Sequence, residues 1–155
     1  MNARTEAVAG QKLALEVTRI FDAPQCLVFK VWKTPEHLLR WWGPKGFSAT
    51  SQMLEFREGG RYRHTIHGPD GHVHGMSGNF RAIVEPEKIV FTFAWDDEHG
   101  DPADETLVTV TLTAEGERTR LTFRQEPFDK AETRDSHADG WGQCLDKLGA
   151  YLAGI

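Results

Sequence analysis

The chain has 155 residues, 39% of them hydrophobic and 26% charged, with a formal net charge of −5. That length and balance fit one soluble domain with its own core and exclude wholesale disorder. No apolar run reaches the ~18–20 residues of a membrane span, residues 1–10 lack the apolar stretch of a secretory signal, and the acidic balance argues against a nucleic-acid surface.

Residues 1–11 read as a flexible leader and residues 12–155 as a single domain. Leu13, Leu15 and Val17 alternate with Glu16 and Thr18, the period of a half-buried strand that ends near Phe21. Asp22 and Pro24 then mark a helix start, and Cys26 to Trp32 is a short apolar helix. Thr34-Pro35-Glu36 repeats the start signal for a second helix, Glu36 to Arg40, which Gly43 and Pro44 terminate. Six strands are expected next, near 47–57, 60–67, 72–84, 88–95, 105–114 and 119–127. Turn-like breaks separate them, among them Gly68-Pro69-Asp70-Gly71 and Glu85-Pro86-Glu87. Asp96 to Asp104 reads as a longer acidic loop.

A helix from about Ala131 to Ala153 closes the chain. At 1.5 Å per residue it spans roughly 34 Å, enough to cross a sheet. Trp141, Leu145, Leu148 and Leu152 fall on one of its faces. Short links between consecutive strands mean an antiparallel sheet, and the terminal helix is the one element long enough to cover it. The expected fold is therefore α+β: a curved seven-stranded antiparallel sheet wrapped around a long C-terminal helix, with two short helices after the first strand. A cavity between sheet and helix is the usual consequence.

Several motifs then carry a resemblance: Trp41-Trp42-Gly43-Pro44-x-Gly46-Phe47, Gly59-Gly60-Arg61-Tyr62, Gly68-Pro69-Asp70-Gly71, the run from Gly78 to Thr92, and His137-x-x-Gly140-Trp141-x-x-x-Leu145-x-x-Leu148-x-x-Tyr151-Leu152. In this order they resemble the activator of heat-shock protein 90 ATPase homologue-like family, of the START-like, birch-pollen-allergen-like superfamily, across roughly Leu13 to Leu152. The resemblance implies a helix-grip fold and a pocket for a small, largely apolar molecule. It also implies two alternatives: co-chaperone-like stimulation of a heat-shock protein 90 ATPase, and polyketide-cyclase-like enzyme chemistry. Relatives that activate the chaperone carry an additional N-terminal domain, whereas about ten residues precede the first strand here.

The candidate ligand-binding residues follow from strand parity and helix spacing. Tyr62, His64 and Ile66 share one face of their strand, as do Phe91, Phe93 and Trp95 of theirs. Val110 and Phe123 point the same way from the last two strands. Phe80 and Ile83 differ in parity although both read as buried, and a bulge at Gly78 would reconcile them. His137, Trp141 and Leu145 share a helix face, with Trp141 stacking on the ligand and His137 supplying a hydrogen bond. Gly140 implies a close approach to backbone or to a ring, or simply tight packing. One of Trp41 and Trp42 would close the cavity mouth while the other anchors its helix.

No cofactor is expected. His67, His72 and His74 would share a face if residue 67 pairs with 72, but the exposed hairpin and the missing acidic or cysteine ligand argue against a metal. Glu126 or Asp96 with His137 or His64 would be the acid–base pair of an enzyme. No nucleophile elbow or phosphate loop is present, so no catalytic residue is assigned and an enzyme is the less favoured reading. Cys26 and Cys144 read as buried free thiols of a reducing cytoplasm, with a single bridge as the alternative. The exposed sheet edges leave a homodimer open, and neither nucleic acid nor membrane is an expected partner.

Overall fold

The computed structural model describes residues 13–155; the leader expected over residues 1–11 lies outside them. Strand β1 (Leu13–Phe21) is followed by helices α1 (Gln25–Lys30) and α2 (Pro35–Leu38). Strands β2 (Ser48–Leu54), β3 (Arg61–His67), β4 (Val73–Val84), β5 (Lys88–Asp96), β6 (Pro102–Glu115) and β7 (Arg118–Phe128) come next, and helix α3 (Ala131–Ala153) closes the chain. The seven strands form one antiparallel sheet in the order β1-β7-β6-β5-β4-β3-β2. The architecture is the α+β helix-grip fold that the pattern of elements predicts.

Alternation along the strands places the core. Val108, Val110, Leu121 and Phe123 are fully buried, and so are Leu145 and Leu148 from α3. Burying each such apolar side chain contributes about 1.5–3 kcal/mol. Helix α3 lies close to β1. A Cβ at Gly149 would stand 3.3 Å from the Phe21 ring, and Arg19 Nε meets Asp146 Oδ1 at 2.9 Å. Helix α1 is held against the sheet from both sides of its start, where Gln25 Nε2 donates to Leu112 O and Thr119 Oγ1 donates to Ala23 O.

The structure corrects several expectations. Helix α1 starts on Pro24 as its N-cap with no side-chain cap, so Asp22 does not serve. The acidic loop is shorter than expected: β5 runs to Asp96 and β6 begins at Pro102, so only residues 97–101 lie between the strands. The bulge in β4 is at Arg81, between Phe80↔Phe91 and Ala82↔Val90, and not at Gly78. Gly78 answers a different demand, because a Cβ there would lie 1.9 Å from Thr92 O. In the β3–β4 hairpin His67 pairs with Val73 and Ile66 with His74. That is one residue away from the expected register, and a one-residue slip moves a side chain to the other face. Cys26 is exposed, and both cysteines are free; α1 turns Val28 and Phe29 inward instead.

Candidate functional site

A cavity of about 380 Å³ opens between α3, the segment after α2 and the strands β3 to β5. The strands contribute Ile66, His74, Met76, Phe93 and Trp95, and α3 contributes Ser136, His137, Gly140, Trp141 and Cys144. Trp42, Gly43, Pro44 and Phe47 close it from the third side. That third side is built by backbone geometry. Gly43 (φ +96°) and Gly46 (φ +86°) adopt left-handed conformations that other residues rarely take, and a Cβ at Gly43 would sit 3.2 Å from Ile66 Cγ2. Lys147 then secures the segment from α3. Its ammonium donates to the carbonyls of Gly43 (3.0 Å), Phe47 (3.2 Å), Pro44 (3.4 Å) and Trp42 (3.5 Å), and partial burial lowers its pKa.

Every indole N–H of the cavity wall is used within the protein. Trp42 Nε1 donates to Met76 Sδ at 3.2 Å, Trp95 Nε1 to His137 Nε2 at 2.9 Å, and Trp141 Nε1 to Gln125 Oε1 at 2.8 Å. The three tryptophans therefore offer ring faces and edges to the cavity, not donors. The contacts of His137 define its tautomer. Nε2 accepts from Trp95, so Nδ1 carries the proton and donates to Thr133 O at 2.8 Å. Both nitrogens are thus occupied, and the hydrogen bond expected from His137 to a ligand would require breaking one of these. The side chains of His74 and Ser136, both exposed, have no hydrogen-bond partner among the described residues.

The expected site residues divide into three groups. Trp42, Ile66, Phe93, Trp95, His137 and Trp141 meet around the cavity. Tyr62, His64, Phe80 and Phe91 surround a separate space of only about 20 Å³, on the scale of a single water. There Tyr62 Oη donates to Thr92 O at 2.6 Å, and burial raises its pKa well above the usual phenol value. His64 stacks on Tyr62 and bonds Ser51 Oγ at 3.0 Å, and burial pushes its pKa down to about 4. Trp41, Val110, Phe123 and Leu145 line neither space and are core; Trp41 is fully buried, with its indole N–H on Val31 O. Of the two adjacent tryptophans, Trp42 is the one that meets the cavity.

Gly43, Pro44, Phe47, His74, Met76, Ser136, Gly140 and Cys144 complete the lining and were not among the candidates. Strand parity with the correct hairpin register would have found His74 and Met76. The loop residues carry no periodic signal. Gly140 is not forced by a close approach, because a Cβ there would meet only Pro44 Cγ at 3.8 Å.

The carboxylates considered as acid–base partners are engaged elsewhere. Asp96 accepts both guanidinium nitrogens of Arg63 at 2.8 and 3.1 Å, and Glu126 accepts from Arg124 at 3.0 Å. Neither bonds His137 or His64. Among the described residues no group of three or more His, Cys, Asp or Glu is placed to hold a metal ion. His67 bonds Thr50 Oγ1, His72 bonds Asp70, and His74 lines the cavity. No helix among the described residues is long and apolar enough to cross a membrane.

Residues 22–153 match the sequence family described as Activator of Hsp90 ATPase homolog 1-like protein. Solved structures are similar over nearly the whole chain. A protein from Arthrobacter aurescens is 29% identical, with a TM-score of 0.85 over 93% of this chain and 88% of its own. A Silicibacter pomeroyi protein of the same family name is 26% identical, with a TM-score of 0.84 over 91% of this chain and 98% of its own. A Chromobacterium violaceum protein is 26% identical, with a TM-score of 0.82 over 90% of this chain and 96% of its own. No curated protein matches the chain.

Proposed function

The chain belongs to the activator of Hsp90 ATPase homolog 1-like family, and we propose that it is a cytoplasmic carrier or sensor that holds one apolar or aromatic small molecule in the cavity against α3. The observation that carries this reading is the set of three tryptophans, Trp42, Trp95 and Trp141, which wall about 380 Å³ while spending their N–H groups on the protein. That volume lies within the range of small-molecule sites. A wall without free indole donors favours a ligand recognised by shape and ring stacking, with burial worth roughly 25 cal/mol per Å² of apolar area. His74 and Ser136 are the groups available to orient a polar substituent. The function requires no turnover.

Native mass spectrometry of freshly purified protein, with extraction of what co-purifies, tests the reading. The expected result is an apolar adduct that the dye anilinonaphthalene sulfonate displaces, with quenching of tryptophan fluorescence as the dye enters. A protein that carries no adduct and leaves the dye unbound overturns it. The family description supports a second reading, stimulation of an Hsp90-type ATPase. Unchanged ATP hydrolysis by the chaperone with this protein in excess would end that second reading without touching the first.

A further inference from the structure

We propose that Trp95 and His137 form a door between this cavity and a second one, and that the molecule carried is elongated, with an apolar body in the first chamber and a polar end in the second. The inference rests on the carrier reading above and specifies its ligand. A second hollow of about 440 Å³ lies where the ends of β5, β6 and β7 meet the start of α3. Phe93, Trp95 and His137 line both hollows, so these three side chains stand in the wall between them.

The two chambers differ in chemistry. The first is walled by Trp42, Met76 and Trp141, whereas Thr106, Gln125, Lys130 and Thr133 line the second, together with several carboxylates. A ligand spanning both must be amphipathic. The dividing wall is weakest at the Trp95–His137 pair. Phe93 is buried, but Trp95 and His137 are only half-buried, and the single bond from Trp95 Nε1 to His137 Nε2 joins them. Trp95 also sits where the β5–β6 register shifts, between Phe93↔Thr106 and Trp95↔Ala103. The extra residue is on β6, where Asp104 takes a positive φ of 54°. Such irregularities interrupt the ladder and bend the strand locally, which leaves Trp95 less constrained than Phe93. When the pair parts, the two hollows become one channel.

Nuclear magnetic resonance with two neutral probes, hexanol and decanol, tests this on the full chain. Hexanol is expected to shift the indole signals of Trp42, Trp95 and Trp141 alone. Decanol is expected to shift these and also the amides of Ala103 and Phe128 in the second chamber. In Trp95→Phe, which keeps a ring but loses the donor, the affinity for decanol relative to hexanol should rise roughly fivefold, the effect of removing one ordinary hydrogen bond. If both alcohols shift only first-chamber signals, the door is overturned and the carrier reading stands. If neither shifts Trp42 or Trp141, the carrier reading itself fails, and the door with it.

Discussion

The indole of Trp141 donates to Oε1 of Gln125 at 2.8 Å, and Gln125 is completely buried. Gln125 Nε2 in turn donates to Thr106 Oγ1 at 2.8 Å, and Thr106 Oγ1 donates to Phe93 O at 3.0 Å. A polar chain thus runs beneath an apolar cavity and holds the Trp141 ring at one angle. Replacing Gln125 by Leu would strand the Trp141 N–H. A buried unsatisfied donor costs about 1–3 kcal/mol, so urea unfolding of Gln125→Leu should show a loss of about that size. An unchanged midpoint would mean that the chain contributes nothing to stability.

Lys147 spans the gap between α3 and the Gly43–Phe47 segment through four carbonyls. Lys147→Met keeps the aliphatic stem and removes every donor. Amide exchange at Lys45 and Phe47 should accelerate at least tenfold, while α3 around Leu148 stays protected. Equal exchange in both proteins would show that the two glycine turns hold the segment unaided.

His64 makes stability depend on pH. Burial holds its pKa at about 4 in the folded protein, against 6.5 in an unfolded chain. Between these values the unfolded state binds the extra proton. The contribution of His64 is therefore complete above about pH 6.5 and is lost as the pH falls toward 4, by on the order of 3 kcal/mol in all. His64→Gln should unfold with a shallower pH dependence in that window, and parallel curves for the two proteins would contradict the assignment.

Gly140 lies on the cavity wall with room for a side chain. Gly140→Ala should stabilise the helix by about 1 kcal/mol, raising the melting temperature by roughly 2–4 °C. Gly140→Leu should fill part of the cavity and weaken binding of anilinonaphthalene sulfonate at least tenfold. Full-strength dye binding by the leucine variant would place the dye elsewhere on the protein.

The two thiols should separate cleanly in reactivity. Cys26 is exposed, whereas Cys144 is buried, donates to Trp41 O, and has its pKa pushed up to about 12 by burial. A disulfide reagent at neutral pH should label one thiol per native chain and two after denaturation. Two labels on the native protein would show that the cavity wall at Cys144 opens readily.

By itself the sequence determined what depends on local period and local chemistry. Alternation set the strands, including the burial of Tyr62, His64 and Ile66. Four-and-three spacing set helix α3 with its face of Trp141, Leu145, Leu148 and Leu152, and the ordered motifs identified the family. The tertiary structure decided what depends on register and on contacts between distant segments. A hairpin shifted by one residue turned His74 into the cavity, and a bulge at Arg81 rather than Gly78 reconciled Phe80 with Ile83. Parity along a strand says which side chains point inward. Whether an inward side chain borders a hollow or fills it depends on how near α3 and the Gly43–Phe47 segment approach. That distance divides Trp42 from Trp41, and Phe93 from Phe91, although within each pair both side chains are buried.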